Sequence, residues 1–198
     1  MSAAAIARQI LFPVLPLAMA LAGCRAPASP PLVAVVDLIK EFDRADGRPA
    51  GAYTIADYSA AGSALPSITG PAPGRLTWTL PLPRHGTFRA RIAAASAPAR
   101  VRIGISDDRV YESLAELDVA PGAGWSTIVL DLSDYAGWKW SLFYRPERQV
   151  WRLNLSADAP AGVPATIAWG QPEIAAPVGG DALEYTRRRA RPTRSGAP

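Results

Sequence analysis

Three kinds of side chain in this 198-residue sequence could carry chemistry: a lone thiol at Cys24, a lone imidazole at His85, and a set of aromatic rings between Trp138 and Trp151. One Cys excludes a disulfide framework and any Cys-cluster metal site. One His excludes His-pair metal motifs and leaves a single candidate for imidazole catalysis. That candidate stands in Pro83-Arg84-His85-Gly86, a turn signal between two alternating stretches, and no Gly-x-Ser-x-Gly elbow offers it a nucleophile. It reads as a solvent-exposed turn residue. No Gly-rich phosphate loop is present. The carboxylate pairs Asp107-Asp108 and Asp131 with Asp134 are the residue types that glycoside hydrolysis uses. Asp107-Asp108, however, lies in a turn signal, where Asp bonds its own backbone. Loop carboxylates also suit a structural Ca²⁺, but no spacing here specifies one. The sequence assigns no catalytic residue, no metal ligand and no cofactor, and the expectation is a protein that is not an enzyme.

The aromatic set points to binding instead. Trp138, Trp140 and Tyr144 share one parity with Leu142, and Arg145 and Trp151 follow closely. Rings flanked by Arg and Asp suit sugars, whose CH groups stack on a ring while charged groups bond the hydroxyls. A sandwich also fills its core with such an alternation, so core and ligand platform both stay open for Trp138 and Trp140.

Cys24 ends a different pattern. Arg8 gives a short positive segment, Ile10 to Ala20 is apolar, and small residues follow. Pro13 and Pro16 interrupt the apolar stretch, which is short for a membrane span of roughly 20 residues. Leu21-Ala22-Gly23-Cys24 resembles the lipobox of bacterial lipoproteins. The resemblance implies cleavage before Cys24 and a thioether from its sulfur to diacylglycerol, which makes the membrane the first partner. Ala22 and Gly23 are the small residues that a peptidase site needs there. Arg25, rather than Asp, follows the Cys. In a Gram-negative host this implies a cell-envelope protein anchored in the outer membrane, facing the periplasm or the surface.

The elements that would position any site come after a Pro-rich tether. Residues 1–23 read as signal peptide, 24–32 as tether, 33–176 as the folded domain and 177–198 as an Arg-rich tail without packed structure. Arg187, Arg188, Arg189, Arg191 and Arg194 lie in that tail. Without them and Arg8, fifteen of the 21 basic residues face 17 acidic ones, so the body carries about −2. A nucleic-acid-binding face is thereby excluded as an expectation, since the positive charge belongs to a tail. Val35, Leu38, Ile39 and Phe42 follow i, i+3, i+4, i+7 and predict a short amphipathic helix over 36–44. Strands are predicted over 52–56, 75–80, 87–92, 100–105, 111–119, 125–132, 138–144, 150–155 and 165–169. They are separated by Pro-, Gly- and Asp-rich turns. Short alternating strands at this spacing give an all-β antiparallel sandwich.

Two motifs carry a resemblance within this fold class. Gly124-Trp-Ser-Thr-Ile-Val-Leu-Asp-Leu-Ser-Asp-Tyr-Ala-Gly137 and Ala168-Trp-Gly-Gln-Pro-Glu-Ile174 resemble galactose-binding-like jelly rolls. More narrowly, they resemble the noncatalytic N-terminal domain of bacterial sulfatase-like hydrolases. That likeness implies a jelly-roll β-sandwich that binds a polysaccharide without catalysis. The alternative is a protein-interaction module serving a separately encoded envelope enzyme. The catalytic machinery of the sulfatase-like proteins has no counterpart here, so none of its residues is carried over.

Overall fold

The computed structural model describes residues 30–83, 85–106, 111–132 and 151–179. Cys24, Asp107-Asp108, Asp134, Trp138, Trp140, Tyr144, Arg145 and the arginine tail lie outside the described residues.

The described chain is all-β. Its strands are β1 Leu32–Asp37, β2 Asp46–Arg48, β3 Thr54–Ala60, β4 Ser63–Ala72, β5 Gly74–Leu80 and β6 Thr87–Ala94. They continue as β7 Ala99–Ser106, β8 Tyr111–Val119, β9 Ser126–Asp131, β10 Trp151–Asp158 and β11 Ala165–Pro177. One sheet runs β3-β4-β11-β6-β9, with β1 also on β11; the other runs β2-β5-β10-β7-β8, and the paired strands are antiparallel throughout. The last eight strands pair as β4 with β11, β5 with β10, β6 with β9 and β7 with β8. That is a long hairpin rolled into two sheets, the winding of a jelly roll.

The two-residue period of each strand makes this work. Leu76, Trp78 and Leu80 on β5, Phe88 and Ile92 on β6, and Val101, Ile103 and Ile105 on β7 all turn between the sheets and are buried. Each such large side chain contributes about 1.5–3 kcal/mol on leaving water. Trp78 also donates its Nε1–H to the Glu41 carbonyl at 3.0 Å, pinning the chain after β1 over the core.

The helix predicted over 36–44 does not form. Val36 and Asp37 complete β1, which pairs with the end of β11, and only Phe42–Arg44 makes a single 3₁₀ turn. Asp37 stops the strand: its Oδ1 accepts the N–H of Ile39 at 3.0 Å and of Lys40 at 3.3 Å, an Asx-type turn. Val33, Val35 and Val36 are β-branched and suit the strand that precedes it. The apolar spacing that suggested a helix instead serves a strand end and a turn, which bury Val36 and Leu38.

The sequence expectation contains no strand at β4, whose alternation Pro66, Gly70 and Pro71 interrupt. Each proline sits where only one neighbour remains. Pro66 lies opposite Asp57 on β3, just past the last β11 partner, Ser67 with Gly170. Pro71 lies opposite Thr166 on β11, past the last β3 partner, Thr69 with Thr54. A residue without an N–H is tolerated at such one-sided positions.

The two motifs of the resemblance meet in space. The Trp125 ring packs over Gly170, where a Cβ would lie 2.9 Å from it, and its Nε1–H donates to the Ser63 carbonyl at 2.9 Å. Tyr58 meets the same ring edge-on at 5.8 Å. Trp125 and Gly170 therefore tie the entry of β9 across β11 to the β3–β4 hairpin.

Candidate functional site

While one face of the five-stranded sheet fills the core, its other face is polar and grooved. Strand register sets its side chains in transverse rows. In one row Arg48 on β2 lies opposite Arg75 on β5, Arg75 opposite Ser156 on β10, Ser156 opposite Arg102 on β7, and Arg102 opposite Glu116 on β8. The next row along is Asp46, Thr77, Asn154, Gly104 and Ser113.

Tyr111 opens β8 and lies across this second row. A Cβ on Gly104 would stand 2.3 Å from the tyrosine hydroxyl and 2.4 Å from Cζ, so the ring rests directly on the glycine backbone. An isolated Gly inside a strand marks such a close approach. Tyr111 keeps 52% of its surface exposed. Its phenol nevertheless titrates above the usual range, chiefly because burial against the sheet removes water, with Arg102 opposing.

The floor beside the ring is a hydrogen-bonded network. Thr77 Oγ1 donates to Asn154 Oδ1 at 2.9 Å, and Asn154 Nδ2 donates to Ser106 Oγ at 3.3 Å and to the Arg152 carbonyl at 3.1 Å. Asn154 is only 6% exposed, and these bonds fix its orientation. Arg102 donates from Nε to Glu116 at 3.0 Å and from Nη1 to Asp158 at 2.6 Å. The resulting open groove measures about 740 Å³, with Arg48, Arg75, Arg102, Tyr111, Ser156 and Asp158 prominent in its lining. It offers a flat ring, fixed amide and hydroxyl partners, and cations. Asp158, the only carboxylate among the described lining residues, is engaged by Arg102. Among the described residues the lining presents no carboxyl pair for general acid–base work.

Of the aromatic residues singled out in the sequence, Trp138, Trp140 and Tyr144 lie outside the described residues, and Trp151 opens β10 with its backbone opposite Leu80. Tyr111 was read as an ordinary strand residue, although Gly104 inside an otherwise apolar alternation was the available signal. His85 lies exposed in the turn before β6, as expected. Asp131 closes β9 opposite Thr87. Among the described residues no three His, Cys, Asp or Glu side chains gather into a metal-ligand set.

No protein-family model matches the chain. No curated protein matches it either. Solved structures with a similar outline include an exo-β-agarase, at 10% identity and TM-score 0.48, over 72% of this chain and 24% of that one. The chain thus spans about a quarter of the agarase's length. A second is TmCBM61 in complex with β-1,4-galactotriose, at 11% identity and TM-score 0.45, over 66% and 86% of the two chains. A third is the CBM22-1 xylan-binding domain from Paenibacillus barcinonensis, at 14% identity and TM-score 0.44, over 66% and 83%. At these values no residue of a neighbour's site is carried over, and the fold and groove rest on this chain's own pairing.

Proposed function

We propose that the protein is a noncatalytic carbohydrate-binding module whose ligand lies in the groove of the five-stranded sheet. The observation that supports it is Tyr111, half-exposed and packed against Gly104 beside the Thr77–Asn154 network. A sugar ring needs an apolar plane for its CH face and oriented partners for its hydroxyls, and the groove supplies both at adjacent positions. The module belongs to a lipid-anchored envelope protein. Residues 1–23 form the signal peptide, acylated Cys24 and residues 24–32 the anchor and tether, 33–176 the binding domain and 177–198 an arginine-rich tail. In a Gram-negative host the anchoring leaflet is in the outer membrane.

Titration calorimetry of the full chain with oligosaccharides from envelope and plant polymers tests the groove. Tyr111→Ala should weaken binding by about tenfold, the loss of one stacking contact, without lowering the melting temperature. Gly104→Ala should do the same by lifting the ring, because the new methyl collides with the movable end of an exposed side chain. Unchanged affinity in both variants would remove the groove from the reading.

A further inference from the structure

We infer that the groove selects an acidic polysaccharide, one bearing carboxylate or sulfate groups, through the row Arg48–Arg75–Ser156–Arg102. This rests on the carbohydrate-binding reading and specifies its ligand class. Residues directly opposed on antiparallel strands hold their Cβ atoms about 4.5–5.5 Å apart, and like charges there repel. Arg48 and Arg75 are opposed in this way on β2 and β5. Arg48 has Asp46 at 3.6 Å, and Arg102 has Glu116 and Asp158. Arg75 is exposed, and among the described residues no carboxylate pairs with it. Among the described residues three guanidinium groups line the groove; Arg48 and Arg102 are held by carboxylates, and Arg75, set directly against Arg48, is not. A cation set against another cation, without a fold-derived partner, costs stability for nothing unless an anion arrives between them.

The layout suits a charged sugar. Ser156, the short residue between Arg75 and Arg102, leaves a gap two strand spacings wide, about 10 Å. Gly104, which carries the Tyr111 ring, is two residues from Arg102 along β7, about 7 Å. A pyranose stacked on Tyr111 would thus present its acidic substituent to the arginine row. Guanidinium groups bind carboxylate and sulfate oxygens in pairs, and their charge does not titrate away at any ordinary pH.

Calorimetry of the full chain should compare an oligogalacturonate, a sulfated galactan oligosaccharide and a neutral β-1,4-galactan oligosaccharide. At least one acidic ligand should bind about tenfold tighter than the neutral one and weaken as salt rises. The acidic ligand that responds distinguishes carboxylate from sulfate. Arg75→Gln should bring that ligand down to the neutral level while the melting temperature stays level or rises, because the Arg48–Arg75 repulsion is relieved. Polyglutamate, an anion without sugar rings, should not compete. Equal affinity for neutral and acidic chains, competition by polyglutamate, or an unchanged acidic ligand in Arg75→Gln would overturn the inference. Tyr111-dependent binding of the neutral chain would leave the carbohydrate reading standing in those cases, whereas no binding to any of the three would overturn both.

Discussion

Two tyrosines sit in opposite surroundings. Tyr111 rests on the sheet with half its surface open, whereas Tyr53 is packed in among Gly47, Gly70 and Gly74. Burial pushes the Tyr53 phenol up to about 12 from an ordinary 10.0, with Arg75 opposing. Above pH 10 the unfolded chain releases this proton while the folded chain keeps it, so the folded state binds more protons and stability falls as pH rises. The loss should begin near pH 10 and be complete by about 12. Melting curves across that window should show the decline, and Tyr53→Phe should flatten it; an equal decline in the variant would place the cause elsewhere. The two residues were not equally legible in the sequence. Tyr53 falls in the strand predicted over 52–56, although its burial among glycines comes from the fold. Tyr111 looks like any strand aromatic until register places Gly104 beneath it, and register is a property of the paired strands. The density of aromatics between Trp138 and Trp151 is visible in one dimension, whereas a single ring on a polar sheet face is not.

At the scale of elements, legibility followed the cleanness of the two-residue period. β5, β6 and β7 alternate strictly, face the core on one side and water on the other, and coincide with their predictions to within about two residues. β11 was predicted only over its first five residues, yet it runs from Ala165 to Pro177. A bulge at Gln171, with φ of +46°, shifts its register against β6 and breaks the alternation midway. β4 was hidden by its own breakers, and Gly70 within it is there for packing. A Cβ at 70 would stand 2.1 Å from Tyr53 Cδ1. Tyr53 is enclosed and cannot swing aside as Tyr111 can. Gly70→Ala should therefore destabilise the domain by about 1–3 kcal/mol, the usual cost of overpacking. Chemical denaturation would measure it. Tyr53→Leu in the Gly70→Ala background should recover part of the loss, and full additivity of the two changes would argue that they do not share this space.

For the whole molecule, the first and last described strands leave the fold together. Leu32 of β1 lies opposite Pro177 of β11, and the Val178 N–H donates to the Pro31 carbonyl at 2.8 Å. Sequence leading back to Cys24 and sequence leading on to the arginine tail therefore depart from one point on the sandwich. The first carries the proposed acyl anchor, in which each buried methylene adds about 0.8 kcal/mol. Residues 24–30, if extended as polyproline, would reach about 22 Å and hold the groove clear of the headgroups. The second carries Arg187, Arg188, Arg189, Arg191 and Arg194, each worth up to about 1 kcal/mol near an anionic surface. On the proposed reading, one lipid attachment and one polybasic segment issuing from the same place would form a two-signal anchor, and an anionic surface would repel the slightly acidic domain. Cys24→Ser should end incorporation of labelled palmitate and leave the protein unprocessed; continued labelling would overturn the lipobox reading. In the acylated protein, removing residues 187–198 should weaken binding to vesicles containing anionic lipid at low salt, and leave binding to neutral vesicles unchanged. Equal loss on both vesicle types would assign the tail a role in folding, and no loss on either would leave the acyl chains as the sole membrane contact.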